Sequence, residues 1–183
     1  MPRIRSLRAN VSREEALEQF TQGIPGIFRS AALGPVRSVA DFYVPFGLFQ
    51  VTIWNAGRHD NQVLGLDSVS GSLDLYHFEH IPDSSELLSI DTRNCPPARL
   101  DVDRARDLVV EKVRRMLFQK GFFRMRNLRI EAAPLAGEIC IPYWVAFRGR
   151  RTRLYISVID AVRRKPEGAK VRQILQAWLT TPS

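Results

Sequence analysis

Lysine, histidine and cysteine are scarce here: four, three and two residues in a chain of 183. Cys95 and Cys140 lack the short pair spacing of a zinc site, and nothing in that spacing indicates a disulfide. Cys140 sits in an apolar stretch and reads as a small hydrophobe. Of the histidines, only "YHFEH" invites a metal reading. On a strand His77 and Glu79 would face one way and His80 the other, so the motif reads as surface and no metal is expected.

Also missing are the G-x-S-x-G elbow, the Walker loop and the G-x-G-x-x-G turn. No cofactor is expected, and an enzyme is not the default; a small hydrolase with an unrecognised site is the third-ranked reading. No apolar run approaches the roughly 20 residues that span a bilayer, so no transmembrane segment is expected. The start, "MPRIRSLRAN", is basic without an apolar stretch behind it, and Glu14, Glu15 and Glu18 argue against a transit peptide. The expected compartment is the cytoplasm.

What is abundant is arginine. Residues 1–100 hold 9 Arg and no Lys against 11 acids, a balance of −2, while residues 101–183 hold 18 basic residues against 8 acids, a balance of +10. Such asymmetry favours an anionic partner. Arg148, Arg150, Arg151 and Arg153 cluster at one expected hairpin tip, and Arg124, Arg126 and Arg129 follow a helix; these seven are the anion-binding candidates. Arg163, Arg164 and Lys165 lie at the far end of the same hairpin. The competing reading is a solvated surface in a chain that uses 23 Arg to 4 Lys.

Ser12 and Glu15 form a capping-box pattern at the start of a short helix. Residues 101–119 place Ala105, Val109, Val113, Met116 and Leu117 on one helical face. The last helix carries Val171, Ile174, Leu175, Trp178 and Leu179 as its apolar stripe, with Trp178 expected in the core. Strands are expected over 42–54, near 126–133, over 139–148 and over 152–162, with "QVLGLDSVSGSLDLYHF" as a hairpin about Ser70–Gly71.

Two stretches match: "YVPFGLF" with "CIPYWVA", and "VLGLDSV" with "ISVIDAV". Their prolines are 97 residues apart and their aspartates 93 apart, the difference of 4 falling in the loop at 55–61. An internal repeat follows as an expectation, with Asp67, Gly71 and Asp160 as its turn positions. Paired acids could mark a site, but "DSVSG" is good turn chemistry, and turn formation is preferred. Tyr43, Phe46, Phe49, Tyr143, Trp144 and Phe147 could stack bases, but aromatics in small cores favour packing.

Helix, strand, Tyr-bearing strand and a strand ending D-S-V-S-G or D-A-V resemble the PepSY family, whose last strand ends in a D-A-x-T-G-like turn. "LDSVSG" fits that turn; "VIDAVRR" keeps the aspartate without the glycine. Tyr143 stands at the strand tyrosine, and Phe46 replaces it in the first half. The resemblance spans most of 101–163 and, more loosely, 12–80. It implies an extracytoplasmic module associated with peptidase inhibition or protein binding.

The expectation is an α+β protein of two similar halves, each a helix packed on a small antiparallel sheet. The first half is 1–80, the junction 81–100, and the second half 101–183 with a C-terminal helix. The expected function is a non-enzymatic module with a protein partner. Binding of nucleic acid or an acidic surface through the second half is the alternative, and a homo-oligomer is compatible with either.

Overall fold

A computed structural model describes residues 1–21, 34–121, 126–150 and 153–180. Among them run eight strands and three helices: β1 (Arg3–Leu7), α1 (Arg13–Thr21), β2 (Val36–Asn55), β3 (Arg58–Asp67), β4 (Tyr76–Phe78), β5 (Leu87–Asp91), α2 (Val102–Gly121), β6 (Arg129–Arg150), β7 (Arg153–Asp160), β8 (Lys165–Glu167) and α3 (Ala169–Thr180).

The strands form one mixed sheet in the order β4-β3-β2-β6-β1-β5, with β7 on β6 and β8 on β7. The β1–β6 pair is parallel, with Ser6 opposite Cys140, and β1–β5 is antiparallel. This overturns the expectation of two halves, each a helix on its own small antiparallel sheet. The physical reason lies in β2 and β6, which are 20 and 22 residues long and neighbour each other in the sheet. Pro134 and Gly137 do not break β6, and the expected strands near 126–133 and over 139–148 are one.

The chain forms two compact units, and neither is a continuous half. Unit 1 takes residues 1–44, 86–96 and 140–183; unit 2 takes 45–85 and 97–139. In unit 1, Ala16 and Phe20 of α1 share a core with Ala146 of β6 and Ile159 of β7. In unit 2, Ala105, Val109 and Val113 of α2 share a core with Phe49, Val51 and Ile53 of β2 and Leu64 and Leu66 of β3. Of the three helices, α1 and α2 therefore each cover the hairpin of the other half of the sequence. Helical periodicity names the face a helix buries, not the sheet that receives it.

Where the chemistry is local, the structure follows the sequence pattern. Ser12 Oγ accepts from Glu15 N at 3.1 Å and Glu15 Oε2 from Ser12 N at 2.7 Å, completing the capping box. Asp101 caps α2, its Oδ1 accepting from Arg104 N at 2.9 Å. Strands β1 and β5 form where no strand pattern stands out: "RIRSL" reads as a charged start, and "LLSID" lies in a stretch rich in Pro, Ser and Asp. On α3, Val171, Ile174 and Leu175 are buried, while Trp178 is half-buried, with its ring 5.5 Å from that of Phe42, and Leu179 is exposed.

Candidate functional site

The two turns expected at Asp67 and Asp160 are built alike. Asp67 lies opposite Phe46 in the β2–β3 hairpin, and Ser68 N donates to Pro45 O at 2.8 Å. Asp160 lies opposite Tyr143 in the β6–β7 hairpin, and Ala161 N donates to Pro142 O at 3.0 Å. Both carboxylates are fully buried. That of Asp67 accepts from Ser70 N (2.7 Å), Ser70 Oγ (3.0 Å), Gly71 N (3.0 Å) and Leu73 N (2.8 Å). That of Asp160 accepts from Val162 N and Arg163 N, each at 2.8 Å. Gly71 and Arg164, each four residues on, have φ of 68° and 59°. At Gly71 a Cβ would lie 2.6 Å from Leu108 Cδ1, so space as well as φ favours glycine there. These aspartates organise turns, and an acidic site is not their role.

The expected anion-binding set comes apart. Arg148 is 1% exposed, and its guanidinium donates to the carbonyl of Phe20 in the last turn of α1. It closes a helix end and is not available to a ligand. Arg150 and Arg153 are register partners at the last rung of the β6–β7 hairpin. Arg124 and Arg151 lie outside the described residues. Arg126 and Arg129 are exposed in unit 2, where Arg129 covers the Trp54 ring at 5.1 Å and pairs with Glu131.

Sorting charge by unit instead of by chain half changes its location. Unit 1 contains 16 Lys and Arg against 8 Asp and Glu, a balance of +8; unit 2 contains 11 against 11. The whole net charge belongs to unit 1. Linear halves could not reveal this, because residues 101–139 of the basic half go to unit 2, taking six acids with them.

Within unit 1 the turn after β7 carries a basic run. Asp160 holds the backbone at Val162 and Arg163, as above. The loop before α1 braces it from the other side: Asn10 N donates to Ala161 O at 2.8 Å, Asn10 Nδ2 to Val162 O at 2.9 Å, and the Arg164 guanidinium to Asn10 O. Arg8, Arg163, Arg164 and Lys165 are exposed there, and Lys170 and Arg172 are exposed on the first turns of α3, which hold no acid. Nearby in the chain, a cleft of about 350 Å³ is lined by Arg13, Glu14, Leu17 and residues 36–39. Its two arginines donate to backbone, Arg13 to Val39 O at 3.4 Å and Arg37 to Gly149 O at 3.2 Å.

A second cluster in unit 1 is polar and partly buried. Asn94 Nδ2 donates to Asp41 Oδ1 at 2.8 Å, and Tyr43 N to Asn94 O at 2.8 Å. Cys95 Sγ lies 3.8 Å from Cys140 Sγ. The Tyr43 hydroxyl is pushed up to about 12, chiefly by burial and then by the Asp41 carboxylate. Its folded pKa thus exceeds the unfolded value of about 10, so its share of stability is full below pH 10 and lost as pH rises through 12. Wild-type stability in urea should drop by about 2–3 kcal/mol more than that of Tyr43→Phe between pH 9 and 12. Parallel pH profiles for the two proteins would show that the hydroxyl is not confined as described.

The Asp67 carboxylate is committed to its turn, and His77 is exposed on β4 opposite Leu64. Among the described residues no group of three or more His, Cys, Asp or Glu could hold a metal ion, and no helix is long and apolar enough to cross a membrane. No family model, curated protein or solved structure matches the chain.

Proposed function

We propose that the protein is a non-enzymatic binding module that takes nucleic acid on unit 1, through the basic turn after β7 and the start of α3. The observation that carries this is the charge partition: +8 on unit 1 against zero on unit 2. Arg163, Arg164 and Lys165 are exposed on the braced turn, Arg8 on the segment that leads to its Asn10 brace, and Lys170 and Arg172 at the start of α3, with Glu167 as the acid within the 163–172 run. Lys and Arg so presented neutralise backbone phosphates without reading sequence. The role transfers from the expected tip at 148–153 to the opposite end of that hairpin.

The test is fluorescence anisotropy with labelled duplex DNA and RNA between 50 and 200 mM salt. Arg163→Ala/Lys165→Ala/Lys170→Ala removes three phosphate-neutralising charges. It should lower the slope of log affinity against log salt by about 2.7 units. Over that fourfold range the wild type should lose about 40-fold more affinity than the variant. Arg58→Ala/Arg129→Ala in unit 2 should leave the slope unchanged. Absence of wild-type binding at 50 mM salt would end this reading and return the protein-partner module, which the PepSY resemblance implies, to first place.

A further inference from the structure

We propose that Cys95 and Cys140 are a reversible dithiol–disulfide pair, closed by hydrogen peroxide and opened by thiols. They are 45 residues apart in sequence, yet their sulfurs lie 3.8 Å apart. Closing to a disulfide's S–S length of about 2.05 Å requires about 1.8 Å of approach.

The two sulfurs have different surroundings. Cys95 is half-buried, on the segment between β5 and Pro96-Pro97. Cys140 is 3% exposed on β6, opposite Ser6, whose Oγ donates to the Cys140 carbonyl at 3.1 Å. Cys95 is therefore the more accessible of the two residues, and Cys140 is buried in the sheet beside it. A peroxide-sensing cysteine beside a resolving cysteine has this arrangement.

The chemistry balances in two steps. The Cys95 sulfur attacks one oxygen of hydrogen peroxide, the O–O bond breaks, and Cys95 becomes a sulfenic acid as one water leaves. The Cys140 sulfur then bonds to the Cys95 sulfur, the S–O bond breaks, and the oxygen leaves as a second water. Two thiols and one peroxide give one disulfide and two waters; sulfur is oxidised and peroxide reduced. The bond would tie the segment after β5 to β6 inside unit 1, the unit that carries the net charge, and its thermal midpoint should rise.

The full chain is reduced, treated with hydrogen peroxide, quenched in acid, unfolded and alkylated, and its intact mass and peptides are measured. The expected product is a monomer two hydrogen atoms lighter, without alkyl groups, with the Cys95 and Cys140 peptides joined and separable by dithiothreitol. The same reaction begun in urea should be at least about tenfold slower, because the fold supplies the proximity. Cys140→Ala should leave a dimedone-reactive sulfenic acid at Cys95, and Cys95→Ala should leave Cys140 fully alkylatable. If Cys140→Ala does not fold, the wild-type mass and its urea comparison decide alone. Two alkylated thiols after peroxide, a sulfinic acid at Cys95 beside an alkylated Cys140, or equal rates in urea and buffer would overturn the proposal.

Discussion

Replacing Asp67 by alanine should cost about 3–5 kcal/mol of folding stability, a large part of what a domain this size has. The carboxylate is fully buried and accepts four hydrogen bonds, three of them from backbone N–H groups of Ser70, Gly71 and Leu73. Alanine removes the acceptor and leaves those donors behind; each buried unsatisfied donor costs about 1–3 kcal/mol. The Gly71 N–H retains its bond to the Asp67 carbonyl at 3.1 Å, which limits the loss. The same substitution at Asp160 should also be destabilising, because its buried carboxylate accepts from the Val162 and Arg163 N–H groups. Urea midpoints measure both. An Asp67→Ala loss under about 1 kcal/mol would show that the turn forms without its carboxylate.

The second large effect is at Arg148, where alanine should also cost about 3–5 kcal/mol. Its guanidinium is buried beside the core formed by Phe20, Ala146 and Ile159, and it donates to the Phe20 carbonyl. Alanine leaves both a void and a helix-end carbonyl without that donor. Methionine, which keeps much of the volume and no charge, should cost only about 1–2 kcal/mol, since a packed apolar side chain can replace a buried charge at little loss. Neither variant should alter the salt slope of nucleic-acid binding if it is folded. A changed slope with Arg148→Met would mean that this arginine meets the ligand, contrary to its burial.

Arg148 also marks the reach of sequence patterns. Four arginines near a hairpin tip look alike in sequence, and an arginine is almost never fully buried without a partner. Its partner is a backbone carbonyl 128 residues away. No pattern announces such a pair, because every residue has a carbonyl. The thiols are similar: Cys95 and Cys140 meet only because β1 lies beside β6 and β5 beside β1.

The sequence by itself determined much of the local chemistry. It set the capping box at Ser12 and Glu15, the apolar stripe of α2, the buried positions Val171, Ile174 and Leu175 of α3, and the aspartate turns at Asp67 and Asp160. Each depends on residues within a few positions of one another, where side-chain geometry and hydrogen bonding act without long-range help. Only the tertiary structure decided which hairpin each helix covers, that β2 and β6 run long enough to serve both units, and that the net charge collects on one of them. The two hairpins carry closely similar apolar patterns, and closing a longer loop to reach the more distant one costs only about 0.6 kcal/mol per doubling of length. Sequence order is thus a weak guide to partner choice, and packing across the assembled sheet is what selects it.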